Sequence, residues 1–393
     1  MINNNLKDIC FIASDYPTQN RPVFVFVQQL LETIVDLGVK VSVVAPQSLT
    51  RSLFRGIPIM PRHTTYKTIK GNSYEVYRPY SFSFGNGKKI LYKISERYNQ
   101  RNFEHYLKSI NPQVVYGHFW SCAMNALHYC CKNNKPLFVA CGESHDLFDK
   151  WSAGISSEQK NTIRKYISGV ICVSSENKRK CIDNQLCKEE NCLVLPNCVD
   201  ITAFYPQEVN LVKEKLGIKE GDFVIAFVGS FIPRKGPDRV AKAIAKLNDT
   251  RIKVMFIGQE SSGYNYLFEC SGIIYKGPVT HEKLPIMLNC ADVFVLPTRN
   301  EGCSNAIVEA LACGIPVISS NGAFNDDILD NRNSIRIDAD DIDALADAIA
   351  FLQHNPKVRQ TMREFSISRH HSYSIENRAG KILGFIESNI QKD

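Results

Sequence analysis

ADVFVLPTRNEGCSNAIVEALACGIPVISS, residues Ala291 to Ser320, is the stretch that decides the fold. Val293 to Pro297 is a short apolar run of β type. Ser304 stands at an N-cap position, with Val308, Leu311 and Ala312 at helical spacing behind it. Gly314 fits the place just past a helix, and Pro316 prevents continuation. Val317, Ile318 and Ser319 then begin another buried strand. A parallel strand–helix–strand unit with short connections puts its loop at the carboxyl edge of the sheet, where open α/β sheets bind ligands.

Two carboxylates frame that loop. Glu301 precedes the helix and Glu309 lies one and a half turns inside it, on the face it shares with Asn305. The first amides of the helix, at Asn305, Ala306 and Ile307, lack intrahelical acceptors and offer a seat for a phosphate. A diphosphate ligand would rest there, with one sugar near Glu301 and another near Glu309, and Gly302 as the hinge between them. The plainer reading stays open: a solvated loop glutamate and a helix glutamate favoured by the dipole.

Glu301-Gly302 through Glu309, followed by Ala310-Leu311-Ala312-Cys313-Gly314-Ile315-Pro316-Val317, resembles the EGxxNxxxEAxAxGxPV signature of glycosyltransferase family 4. The resemblance implies a retaining, nucleotide-sugar-dependent enzyme of GT-B architecture. That fold is α/β, with two doubly wound Rossmann-like domains facing one another across a cleft. Residues 1–200 would hold the acceptor, with a last helix (Ser374 to Gln391) packing back on them. Residues 201–373 would hold the nucleotide sugar.

A length of 393 residues favours two domains, and 44% hydrophobic with 22% charged residues is ordinary for a soluble globular protein. The net charge of +7 favours phosphate ligands and an anionic membrane surface. No stretch is dense enough in Lys and Arg to argue for nucleic acid. Fourteen cysteines without a C-x-x-C pair, and no N-terminal signal pattern, point to reduced cytosolic thiols. The series Cys181, Cys187, Cys192, Cys198 has gaps too wide for a zinc motif, so no metal is expected there. No apolar run reaches the roughly 18 residues of a membrane span.

Asp8 to Ala13 reads as the first strand, Val23 to Leu37 as a helix and Val39 to Ala45 as the second strand. Where the family places glycines ahead of this helix, the chain has Arg21-Pro22-Val23-Phe24, which makes Arg21 an acceptor-side candidate. Arg51 to Lys89 reads as irregular, with Arg51, Arg55, Arg62, Lys67 and Lys70 among Phe and Tyr. It is either a surface excursion or an acceptor- or membrane-facing loop. Gly85-Asn86-Gly87 within it is a turn without the helix that a phosphate fingerprint needs.

The strand Val114 to Tyr116 ends at Gly117-His118, and the resemblance implies a histidine near the transferred sugar. Pro136 to Cys141 leads into Gly142-Glu143-Ser144-His145-Asp146, where the family carries a His-Gly-x-Asp type of loop. His145 and Asp146 are acceptor-side candidates, beside a purely structural reading. Gly169 to Ser174 and Val194 to Asp200 resemble the family's "vi.vS" strand and "PNGVD" hinge, with Cys198 where glycine is usual.

Phe223 to Gly229 restarts the pattern, and Ser230 to Gly236 (SFIPRKG) is the loop after it. Arg234 and Lys235 there would clamp a diphosphate; a solvated basic pair is the other reading. The family's "VGRL…KG" has an arginine where this chain has Ser230, and keeps the lysine at Lys235. Ile273 to Val279 would pass the nucleobase, read by backbone at Lys276, Gly277 and Val279. Asp338-x-Asp340 and Asp341-x-Asp343 precede an Ala- and Leu-rich helix, where capping explains them better than metal binding.

The resemblance therefore implies transfer of a hexose from a nucleoside diphosphate sugar, UDP- or GDP-linked, to a hydroxyl of a glycan or lipid-linked acceptor. Surface polysaccharide biosynthesis is the expected process, in the cytoplasm with peripheral contact at the membrane inner face. His118, Lys235 and Glu301 would be catalytic, and Arg234, Gly302, Ser304, Asn305, Ala306 and Glu309 would complete the donor site. Neither metal nor cofactor is expected, and nucleic acid is not expected as a partner. Two other classes remain open: a nucleotide-sugar epimerase or glycogen-type synthase on the same fold, and a non-catalytic sugar-nucleotide binder.

Overall fold

The computed structural model describes residues 6–18, 21, 23–82, 89–260 and 268–390, apart from the side chains of 89–93, 96 and 145. The Gly85-Asn86-Gly87 turn lies outside the described residues. Among the described residues, runs rich in Val, Ile and Phe form most of the sixteen strands. In the first part of the chain these are β1 (Asp8–Ile12), β2 (Lys40–Val44), β3 (Gln47–Ser48), β4 (His63–Lys67), β5 (Ser73–Tyr77), β6 (Tyr80–Ser81), β7 (Val114–His118), β8 (Leu137–Cys141), β9 (Ile167–Cys172) and β10 (Cys192–Val194). In the second part they are β11 (Phe223–Val228), β12 (Ile252–Ile257), β13 (Ile273–Gly277), β14 (Val293–Leu296), β15 (Val317–Ser320) and β16 (Ser334–Ile337).

The first sheet has eight strands in the order β10-β9-β8-β7-β1-β2-β5-β4, all parallel except that β4 pairs antiparallel with β5. The second has six parallel strands in the order β13-β12-β11-β14-β15-β16. Near-continuous burial along β7, β8, β14 and β15 is what parallel strands covered on both faces require. The model is thus α/β with parallel-sheet Rossmann-like units.

The strand order reverses direction at β1/β7 in the first sheet and at β11/β14 in the second. At such switch points two loops leave in opposite directions and open a crevice at the carboxyl ends of the strands. The last helix, Ile375–Ile390, returns to the first sheet, burying Ile375, Ala379, Ile382, Leu383 and Ile386 in the same core as β1, β2 and β7. Each such side chain contributes up to about 1.5–3 kcal/mol of apolar burial, alanine less.

Two local expectations need correction. The segment after Arg51 is not irregular: it continues a helix, Leu49–Arg55, capped by Ser48, and then forms the β4–β5 hairpin. Alternation of exposed and half-buried residues in β4 (His63, Thr64, Thr65, Tyr66, Lys67) is the period-2 signal of an edge strand, hidden among the prolines and charges around it. The first helix starts at Val25, not Val23, because Phe24 takes a left-handed conformation at its N-cap. Ser304 does occupy the N-cap of the helix Asn305–Ala312, but its side chain makes no capping hydrogen bond.

Candidate active site

The two switch points supply the loops that carry the candidate residues. β11 is followed by Gly229 to Gly236, which turns back on itself through Lys235 N to Ile232 O at 3.1 Å. Gly236 takes a positive φ of 77° as the N-cap of the helix Pro237–Leu247, and Pro237 starts that helix with the φ it requires. β14 is followed by Pro297 to Ser304. Because of the turn at Pro233 to Gly236, Arg234 and Lys235 reach one point: both pair with Oε1 of Glu301, Arg234 at 2.9 Å. Thr298 Oγ1, fully buried, donates to the same oxygen at 3.1 Å. Arg234 also donates to the carbonyl of Asn300. A solvated basic pair does not describe this loop, since both cations are engaged by Glu301 and the side chains of Arg234 and Lys235 keep 33% and 15% of their exposure.

Arg239, on the helix Pro237–Leu247, holds the loop in shape. It is buried, and its guanidinium donates to the carbonyls of Pro233 at 2.9 Å, Arg234 at 3.2 Å and Pro297 at 2.7 Å, tying both loops together. No motif marks it; only the three-residue offset from Gly236 would have hinted at it. Arg239→Met leaves those carbonyls without their donor. We expect a loss of about 2–3 kcal/mol in unfolding free energy, read by urea denaturation, together with a raised KM.

The start of the helix Asn305–Ala312 faces the same loops. Since Ser304 does not cap it, its first amides remain open to an anion. Asn305 is set by Asn197 from the segment joining the two sheets, whose Nδ2 donates to Asn305 Oδ1 at 2.7 Å and to the Cys303 carbonyl at 3.0 Å. Glu309 is buried inside the helix, 3.6 Å from Nε2 of His281. Sequence gave no signal for His281, which arrives on the turn after β13 and also packs edge-on against Phe204, ring centres 5.3 Å apart.

The Glu309 carboxylate raises the His281 pKa above its ordinary value against the opposing effect of burial. A raised folded-state pKa means that the pair's contribution is complete below the unfolded value of about 6.5 and is lost as pH rises through the folded value. Melting temperature should therefore decline above that pH by an increment that is missing in His281→Gln. A scan of both proteins across this window checks it.

Lys276 does not join the cluster. Its ammonium donates to the Phe268 carbonyl at 3.1 Å and lies 4.1 Å from the centre of the Phe268 ring. Gly277 ends β13, with its carbonyl accepting from Gly258 N at 2.9 Å, and Val279 is half-buried on the following turn.

The first sheet faces these loops with its own switch point. A Cβ on Gly302 would lie 2.6 Å from the Gly142 carbonyl oxygen and 3.1 Å from that of Glu143, so loops of the two sheets meet at this glycine with no room for a side chain. Phe119 in turn packs on Gly142 at 3.4 Å from its Cβ position, and His118 precedes Phe119. His118 is buried, and burial, aided by the charge of Arg378, lowers its pKa to about 3. It is therefore neutral, and its Nδ1 is buried without a hydrogen-bond partner among the described residues. A second link between the sheets runs from Asp327, whose carboxylate accepts from Ser175 N and Ser175 Oγ, each at 2.6 Å.

The acceptor-side candidates are not gathered at one place. Asp146 is exposed in the first turn of the helix His145–Ser152, and nothing is described of the His145 side chain. Arg21 pairs with Asp15 at 2.6 Å and lines a separate cavity of about 730 Å³, together with Arg51, Ile59, Met60, Tyr66 and Arg78. Asp341 caps the helix Ile342–His354 by accepting from Ala344 N at 2.9 Å, and Asp340 pairs with Arg299 at 2.8 Å. Those aspartates are accounted for without a metal.

Comparison with known proteins gives two family matches: Glycosyltransferase Family 4 over residues 23–203 and Glycosyl transferases group 1 over residues 209–369. The chain is 30% identical over 197 residues to the UDP-Gal:alpha-D-GlcNAc-diphosphoundecaprenol alpha-1,3-galactosyltransferase of Escherichia coli. That match covers 47% of this chain and 51% of the relative, so the chain spans about half of that protein's length. It is 23% identical over 365 residues to TuaC of Bacillus subtilis (strain 168), named for teichuronic acid biosynthesis, covering 88% of this chain and 89% of that one. Among solved structures, sucrose-phosphate synthase from Thermosynechococcus elongatus matches with a TM-score of 0.76 at 16% identity, covering 98% of this chain and 100% of that one. Anabaena HepE in complex with UDP and glucose matches with a TM-score of 0.71 at 14% identity, covering 97% of this chain and 100% of that one. These structural likenesses speak for the GT-B fold.

Proposed function

Because this chain belongs to glycosyltransferase family 4, the glycosyl transferases of group 1, we propose that it moves a hexose from a nucleoside diphosphate sugar to a hydroxyl, retaining the anomeric configuration. The observation that carries this reading is the convergence of Arg234 and Lys235 on one carboxylate oxygen beside an uncapped helix start. Two cations held at one point are a seat for a diphosphate, and Glu301 takes that seat while no anion is bound. When the donor enters, its phosphates take the cations and the amides of Asn305 and Ala306. Glu301 is then released to the hydroxyls of the sugar, and Glu309 receives the ribose diol beside His281. The neutral His118, with a free ring nitrogen, suits a sugar hydroxyl better than a charge.

The anomeric carbon loses its bond to the diphosphate oxygen and gains one to the acceptor oxygen, and the acceptor proton passes to the departing phosphate. Cations and helix amides placed where that negative charge develops lower the barrier, so the reaction needs no divalent ion. No helix among the described residues is long and apolar enough to cross a membrane. The 730 Å³ cavity, with three arginines beside Ile57, Ile59 and Met60, fits an acceptor carrying both phosphate and lipid. The named activity of the Escherichia coli relative favours a polyprenyl-diphosphate-linked sugar as the acceptor class, and UDP-sugars as donors.

The test is a transfer assay with UDP-, GDP-, ADP- and dTDP-sugars and a short polyprenyl-diphosphate sugar, run with and without EDTA, with the product anomer assigned by NMR. We expect one donor class to give a product of unchanged configuration, with more than half of the rate kept in EDTA. Inversion of configuration, or dependence on added Mn²⁺, contradicts the reading.

A further inference from the structure

A group of thiols lies outside the site just described. Cys141 ends β8, Cys172 ends β9 and Cys181 sits on the helix Ser175–Asp183, and their sulfur atoms all lie within 4.8 Å of one another. Cys141 and Cys181 are 3.6 Å apart. Cys192, at the start of β10, is 3.4 Å from Cys172, and the free thiol of Cys187 is within hydrogen-bonding reach of Cys181 and Cys192. Cys141, Cys172 and Cys181 have no exposure, and Cys187 and Cys192 keep 6% and 8%. Ordinary buried cysteines are scattered as small apolar residues, which does not account for five of them closing a ring.

Sulfurs around a tetrahedral zinc, each about 2.3 Å from the metal, stand roughly 3.8 Å apart. The 3.4 and 3.6 Å contacts of the ring fall a little short of that spacing, and Cys141, Cys172 and Cys181 all lie within 4.8 Å of one another. We propose that Cys141, Cys172 and Cys181, with Cys187 or Cys192 as the fourth ligand, form a structural thiolate site for a zinc ion. Each ligand thiol gives up its proton on binding. Asn177 Nδ2 lies 3.5 Å from Cys141 Sγ and donates at 3.1 Å to the carbonyl of Glu143. Such N–H donors to ligand sulfur are what metal–thiolate sites use as their supporting shell.

The sequence hid this site because its ligands come from two strands, a helix and the segment that follows it. Of the series Cys181, Cys187, Cys192, Cys198, the last belongs elsewhere, packed against the core under the C-terminal helix. The ion would tie β8, β9, β10 and the helix Ser175–Asp183 together directly behind Gly142, the residue that meets Gly302. Its place is structural, apart from the phosphates and the sugar.

Zinc content is measured on the full chain purified under reducing conditions, and cobalt spectra on the chain expressed in cobalt-supplemented medium. We expect one zinc per chain, and thiolate-to-cobalt charge transfer with the visible bands of tetrahedral Co²⁺. The double variant Cys141→Ser/Cys181→Ser should lose the metal, and Cys10→Ser and Cys130→Ser, in the same core but outside the ring, should keep it. Should the double variant fail to fold, the cobalt spectrum of the unaltered chain still decides. A metal-free protein without those bands overturns the proposal, as does a mass two hydrogens lighter, which marks a disulfide in the ring.

Discussion

Glu301→Gln is expected to tighten binding of the bare nucleoside diphosphate while lowering kcat for transfer by about a hundredfold or more. Glu301 Oε1 is the shared partner of Arg234 and Lys235 in the ligand-free chain, and a diphosphate must displace it. Removing the negative charge removes the competitor. A hydrogen bond to a charged group contributes about 1.5–3 kcal/mol, so a gain of a few-fold to tenfold in affinity follows if only part of it opposes binding. Glutamine keeps the volume and the contact with Thr298, which limits the cost to folding. Transfer falls because the amide cannot match a carboxylate at the sugar hydroxyls as charge develops. Glu309→Ala should do the opposite to binding, weakening even the bare nucleotide through loss of the ribose contact. Calorimetry on both variants separates the roles; equal loss of nucleotide affinity in the two contradicts the assignment.

Arg234→Ala and Lys235→Ala should each lower kcat/KM by roughly ten- to a hundredfold. The two residues are neighbours in sequence, and neighbours reach one diphosphate only where the backbone turns between them. It does so here: Lys235 N and Gly236 N both return to Ile232 O, and Arg239 fixes the carbonyls on either side. Ser230 cannot supply the cation that the family places at its position, and Arg234, which meets Glu301 beside Lys235, is the expected substitute. Because both side chains act at one point, their losses should be less than additive in the double variant. Wild-type kinetics in Arg234→Ala would mean that Lys235 and the helix amides manage alone.

Legibility in the sequence followed the range over which each signal acts. The unit Ala291 to Ser320 was readable because its strand, helix and turn residues are local and its ligand-facing loop is fixed by topology. Lys235 and Glu301 could be named for the same reason. Their mutual contact could not, since it depends on how two loops meet, and the loop geometry is set by Arg239, whose partners lie up to 58 residues away. His281 beside Glu309 and the thiol ring around Cys141 are assembled from separate strands and helices, and no spacing rule reaches them. The β4–β5 hairpin was lost for a different reason: a two-sided edge strand carries too little apolar residue to stand out from the basic, proline-rich sequence around it. Lys276 lies on β13, where the sequence puts it, and its ammonium goes to Phe268 by local packing.

A thermal-shift titration of UDP-, GDP-, ADP- and dTDP-sugars into the unaltered chain and into the Arg234→Ala/Lys235→Ala double variant tests the central claim most directly. A ligand that binds only the folded chain stabilises it by about 2.7 kcal/mol at a hundredfold excess over its Kd. The account predicts that one nucleoside diphosphate class raises the melting temperature of the unaltered chain and that the double variant loses most of this shift. No shift with any donor, or an equal shift in both proteins, would contradict a diphosphate seat at Arg234, Lys235 and Glu301.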